Sequence, residues 1–238
     1  MDDAEAKLGI SSKLIVCFLR HLSEESAIAT WNEMCSYMLR HPESTNRIIG
    51  VGLDSSEMYN PPRKFKNLFD IIHFSSKNAI GKEIHIVAHA GEEGPPSYIY
   101  EALDEIHAER IDHGISCLKD DLLISRLRDD HVPLTVCPLS NLRLKVVDCL
   151  ENHNLKKILD MGLNASINSD DPAYFGGYLI DNYCCVTESL GLDEYDIIKL
   201  AQNAIESAFI CTERKSQLLH ILQVTSEPIL RQLKGCEK

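Results

Sequence analysis

The amino-acid sequence predicts an α/β fold built on a parallel sheet, on two observations. Short apolar, β-branched runs alternate with longer amphipathic segments along most of the chain, which is the rhythm of βα units. The short runs are also apolar throughout rather than strictly alternating, as strands buried on both faces of a parallel sheet are. Six runs qualify: Leu14 to Leu19, Arg47 to Asp54, Ile84 to His89, Arg110 to His113, Pro133 to Cys137 and Asn164 to Asp170. Six strands suit a doubly wound sheet and equally an incomplete (β/α)8 barrel.

The helices between the strands are read from their ends. Ser23 before Glu24 and Glu25 opens one that runs to about Leu39; a hydroxyl N-cap followed by acids suits a helix start. Pro61-Pro62 and Pro95-Pro96 open two more, since proline at the first helical turn gives up an N–H that has no partner there. Lys119 to Asp130 and Asn154 to Met161 follow, the latter closed by Gly162. After Asp170 the pattern is helical from about Phe175 to the end.

With 238 residues, 44% hydrophobic and 25% charged, the chain reads as one globular domain over 1–238. Its net charge of −12, from 24 basic and 36 acidic residues, opposes a nucleic-acid backbone or an anionic membrane as main partner. It leaves room for a small neutral or cationic substrate. Nine cysteines without a CxxC pair read as reduced thiols. No secretory pattern follows Met1, and no apolar run could span a bilayer. The expected location is therefore cytoplasmic or nuclear, with oligomeric state left open.

Polar residues gather where the strands end: Asp54-Ser55-Ser56-Glu57, His89-Ala90-Gly91-Glu92, His113-Gly114, Cys137-Pro138-Leu139-Ser140-Asn141 and Ser169-Asp170-Asp171-Pro172. The C-terminal mouth of a barrel is where that fold puts its chemistry. Each cluster alone has a plainer explanation: a histidine closing a strand is more often structural, and Asp-Asp-Pro is a common helix start. Five on successive strand ends are harder to explain that way. His and Asp together also suit a borderline cation such as zinc. His85 and His89 lie four residues apart on one strand, roughly 13 Å at the usual rise, too far to share an ion. His85 therefore reads as an inward-facing packing or hydrogen-bonding residue. His21, His41, His73, His107, His131, His153 and His220 read mostly as surface or cap residues.

Four of these blocks, His89-Ala90-Gly91-Glu92, Ile111-Asp112-His113-Gly114, Cys137 to Asn141 and Ser169 to Pro172, resemble the signature blocks of the adenosine/adenine deaminases in order and approximate spacing. Asp54-Ser55-Ser56-Glu57, Glu93-Gly94-Pro95-Pro96 and Ala173 to Tyr178 are similar to the adenine deaminase branch. The resemblance implies a (β/α)8 barrel of the metal-dependent hydrolases and hydrolytic deamination of adenine to hypoxanthine in purine salvage. It also implies one Zn2+, with His89 and Asp170 as ligands. Glu92 would be the proton donor to the purine ring, His113 would act on the attacking water, and Asp171 would bind the purine N7 edge. Adenosine and N6-modified adenines are alternative substrates. A non-catalytic relative that binds purine or a partner chain is the alternative from another class.

The chemistry suits those residue types. Displacing an aromatic amine needs a strong nucleophile at neutral pH, which zinc supplies by lowering the pKa of water to about 7. Electron density pushed onto N1 needs a protonated acid, so Glu92 must hold its proton before reaction. N7 of an N9-linked nucleoside is an acceptor, as is a carboxylate. The N7–H tautomer of free adenine can instead donate to Asp171. The family's other two metal ligands form a His-x-His on the first barrel strand, and no His-x-His occurs in residues 1–238. The expectation is a barrel lacking its first two strands, and weak or no activity for this chain by itself.

Overall fold

The computed structural model describes residues 1–236. The chain divides into two compact units, Met1–Glu109 and Arg110–Lys238. Within each, three parallel strands follow one another in chain order, and helices connect them.

The first unit opens with α1 (Asp2–Leu8), then β1 (Leu14–Leu19), α2 (Glu24–Arg40), β2 (Ile48–Asp54), α3 (Lys66–Ile80), β3 (His85–Ala90) and α4 (Pro96–Asp104). Ser23 caps α2 as expected, its hydroxyl accepting from Ser26 N. Pro62 begins a short 3-10 turn, Pro62–Phe65, that runs into α3. Leu19 registers with Asp54, and Leu53 with Ala88. The helix-facing layer is fully apolar: Phe18 meets Phe69 edge-on with ring centroids 5.8 Å apart, and Val51, Leu53, Phe65, Leu68 and Ile72 are buried with them. On the opposite face of β2 the chain uses Gly50 and Gly52. A β-carbon at Gly52 would lie 2.7 Å from Cys17 Sγ, so only glycine lets the neighbouring strands' side chains close over it. Strand alternation puts Asp54 on this glycine face, and His85, Val87 and His89 share the matching face of β3.

The second unit runs β4 (Arg110–His113), α5 (Asp121–Asp129), β5 (Pro133–Val136), α6 (Pro138–Arg143), α7 (Leu155–Asp160), β6 (Asn164–Ile167), α8 (Pro172–Phe175), α9 (Leu179–Leu190), α10 (Glu194–Ser207) and α11 (Thr212–Cys236). Ile111 registers with Leu134, and Leu134 with Ala165. The buried Asn203 of α10 donates to Ala165 O at 2.8 Å, tying that helix to the strand behind it. Among the described residues no helix is long and apolar enough to cross a membrane.

Candidate active site

In the first unit the candidate residues lie at the end of β3. The chain leaves the strand through Gly91 at φ 76 and turns back toward α4. Two buried charged side chains hold this turn. Glu57, 1% exposed, accepts from three backbone amides: Gly91 N at 3.0 Å, Glu92 N at 3.0 Å and Gly94 N at 2.9 Å. Arg20, 0% exposed, donates to His89 O at 2.6 Å and to Asn60 O at 2.9 Å. Burial pushes the Arg20 guanidinium below its ordinary value, and the charge of Glu57 acts against that shift. The loop bearing His89 and Glu92 is thus gripped at a carbonyl by Arg20 and at three amides by Glu57. A β-carbon at Gly94 would lie 2.6 Å from Tyr98 and closer still to the Glu57 carboxylate, which explains glycine there. His89 and Glu92 are both partly exposed.

In the second unit, β4 ends on His113, buried at 1% exposure and held in the left-handed region at φ 67. Asp170, just beyond β6, shares that conformation at φ 55. Such backbone costs about 1–3 kcal/mol per non-glycine residue and gathers at functional positions. His113 Nε2 stands 3.8 Å from Asp170 Oδ2. Cys137 joins them: the ligand atoms of His113, Cys137 and Asp170 all lie within 4.8 Å of one another. Donors sharing one zinc, at bond lengths of about 2.0–2.3 Å, sit roughly 3–4.5 Å apart. An imidazole nitrogen, a thiol sulfur and a carboxylate gathered this closely mark a candidate metal site.

Behind His113 runs a buried polar chain. Asn141 Nδ2 is 3.3 Å from His113 Nδ1, and Asn141 Oδ1 is 3.1 Å from His153 Nε2. His153 Nδ1 accepts from Leu155 N at 3.1 Å. Burial pushes His153 down to about 4, so it is neutral at ordinary pH.

Of the residues singled out from the sequence, His113 and Asp170 are brought together. His89 and Glu92 share one loop, and Asp171 is exposed at the start of α8. His153 departs from the surface-or-cap expectation: it is 3% exposed and bonded through both ring nitrogens. His85 is hydrogen-bonded as expected, to Glu109 Oε2 at 2.9 Å. It is not wholly inward, for its side chain is 41% exposed. Sequence reasoning gave no role to Arg20, to Glu57, to Cys137 or to the Asn141–His153 pair. The only signal for these was that Glu57, Cys137 and Asn141 fall within strand-end blocks.

The family model described as adenosine deaminase matches residues 1–224. An adenine deaminase of Hahella chejuensis is 47% identical over 219 residues, 92% of this chain and 61% of that protein. The crystal structure of an adenine deaminase from Arthrobacter aurescens superposes with a TM-score of 0.84 at 44% identity, covering 95% of this chain and 65% of that one. An amidohydrolase from Burkholderia ambifaria, solved with bound Zn, has the same TM-score of 0.84 at 24% identity, covering 99% of this chain and 62% of that one; it speaks to the fold alone. The expected α/β fold, a parallel sheet of six strands as in a barrel lacking its first two, therefore holds. The chain spans about three-fifths of the length of the curated relatives it matches. With the family model matched over nearly its whole length, the chain belongs to the adenosine deaminase family.

Proposed function

We propose that this chain serves the hydrolytic deamination of adenine, releasing hypoxanthine and ammonia. The observation that carries the reading is the convergence of His113, Cys137 and Asp170 on one small volume at strand ends. The 47% identity to an adenine deaminase favours the free base over its nucleoside. Asp170 and His89 would hold the metal. The chemistry zinc supplies when bound is a water acidified to a pKa of about 7.

The remaining steps belong to side chains. His113 lies beside Asp170, where it can act on the attacking water by donating a hydrogen bond that orients it. Glu92 supplies the proton that N1 of the purine needs as C6 becomes tetrahedral. Asp171 accepts from the N7–H of the free base, a contact that an N9-linked nucleoside lacks. Arg20 and Glu57 keep the His89–Glu92 loop in one conformation, which is what positional catalysis requires.

The test is a zinc-supplemented assay of ammonia release from adenine, adenosine and N6-alkyl adenines in parallel, with metal content measured in the same samples. The expected result is zinc bound through Asp170, lost in Asp170→Asn, and such turnover as this chain supports, weak or none by itself, falling on adenine rather than the other two. Preferred turnover of adenosine, or zinc uptake unaffected by Asp170→Asn, would overturn the reading.

A further inference from the structure

The buried chain behind His113 fixes more than a position. Its starting point is unambiguous: Leu155 is the first residue of α7, and its backbone N–H, one of those with no carbonyl inside the helix, can only donate. It donates to His153 Nδ1, so that nitrogen carries a lone pair, and the hydrogen of the neutral ring sits on Nε2. His153 Nε2 therefore donates to Asn141, and the Asn141 atom facing it must be the carbonyl oxygen. The other orientation would set two hydrogen-bearing nitrogens against each other. The Asn141 amide group is thereby turned to His113 and donates to its Nδ1. A His113 nitrogen that accepts is unprotonated, so the ring is neutral and its hydrogen is on Nε2, the nitrogen 3.8 Å from Asp170 Oδ2.

We propose that Asn141 and His153 are positioning residues that hold His113 as its neutral Nε2–H tautomer. Each step is set by a donor facing an acceptor among groups with at most 3% exposure, where an unmatched hydrogen bond costs about 1–3 kcal/mol. One consequence follows at once. A nitrogen that bears hydrogen cannot ligate a metal, and Nδ1 is engaged by Asn141. His113 is therefore a hydrogen-bond donor beside the metal site and not one of its ligands, although its ring stands within the donor cluster. This inference rests on the reading of His113 as a group that acts on the attacking water.

The test is long-range 1H–15N NMR of the imidazole rings in the full 238-residue chain, with His113 assigned by its absence in His113→Gln. The expected spectrum has unprotonated Nδ1 and protonated Nε2 for both His113 and His153. Asn141→Asp keeps an acceptor toward His153 but turns the donor facing His113 into a second acceptor. In that variant Nδ1 of His113 becomes protonated while His153 is unchanged, Nε2 loses the hydrogen it donates, and kcat for adenine falls about 10²–10³-fold with KM within about threefold, the range for a lost hydrogen-bond donor to the reacting atoms. A spectrum of the unsubstituted chain with hydrogen on Nδ1 of His113 would overturn the proposal without need of any variant. So would Asn141→Asp with an unaltered His113 ring or undiminished kcat. A chain with the expected tautomers whose turnover, however weak, falls on adenosine rather than adenine would sink the deaminase reading and leave the relay standing.

Discussion

Replacing Glu57 by glutamine removes one charge and almost no volume, which makes its consequences calculable. Glu57 Oε2 accepts from Gly91 N and Gly94 N, and Oε1 accepts from Glu92 N. A glutamine has one acceptor oxygen. In its better orientation it keeps the first two bonds and points an NH2 group at the Glu92 amide, losing one charge-assisted bond worth about 1.5–3 kcal/mol. The buried Arg20 also loses an opposing charge, and removing one partner from a buried pair costs about 3–5 kcal/mol when the pair is in direct contact. Arg20 keeps its two carbonyl acceptors, so only part of that penalty applies. We expect a total of about 2–4 kcal/mol, read as a fall in Tm of roughly 5–15 °C in a chain this size. The loss is local, so amide hydrogen exchange at Gly91, Glu92 and Gly94 should quicken roughly 30- to 1,000-fold, at 1.4 kcal/mol per tenfold. Protection at those three amides within about twofold of the unsubstituted chain, together with a Tm change under about 1 °C, would refute the idea that Glu57 organises the loop.

Two further outcomes can be checked in solution. His153 is pushed down to about 4 from 6.5 by burial, so between those values the unfolded chain binds a proton that the folded chain refuses. Stability at neutral pH should therefore fall as the pH drops from 6.5 towards 4, by about 3 kcal/mol from this residue, and level off below 4. Urea titrations across that range on the unsubstituted chain and His153→Gln would check it, the variant showing a shallower slope. Among the cysteines, Cys184 and Cys211 are exposed, whereas Cys117 is fully buried with its thiol pushed up to about 12. Iodoacetamide at pH 8 followed by peptide mass spectrometry should label the first two within minutes and leave Cys117 unmodified until the chain unfolds.

Much of the frame was legible because strands and helix starts are signalled locally. β1 and β4 fall on the residues their apolar runs mark, Leu14–Leu19 and Arg110–His113. Ser23 and the two proline pairs mark helix starts because capping and the missing proline N–H act within one turn. β6 is shorter than its sequence run: it stops at Ile167. Asn168 bonds back to Ser166, and Asp170 turns into the left-handed region, choices that polar side chains offer a backbone leaving a sheet. The helical tail beyond Asp170 is broken at Gly176-Gly177 and Gly191, all at positive φ, which a reading of apolar periodicity passes over.

What stayed hidden in the site shares one physical cause: its partners are backbone atoms or side chains distant in sequence. Glu57 looks like any acid after a strand, because the amides it collects, 34 to 37 residues away, carry no side-chain signature. His153 sits just before a helix, where a histidine is usually a cap, and what sets its state is the packing that buries it against Asn141. His113 and Asp170 were legible for the opposite reason. Their chemistry is carried by the residue type itself, and a strand end limits where such a residue can point. Groups read from residue type announce themselves in sequence, while those proposed to fix a tautomer or a loop are defined by what they face. The Asn141–His153 relay is of the second kind, for its direction follows from a single backbone N–H at Leu155 and from no motif.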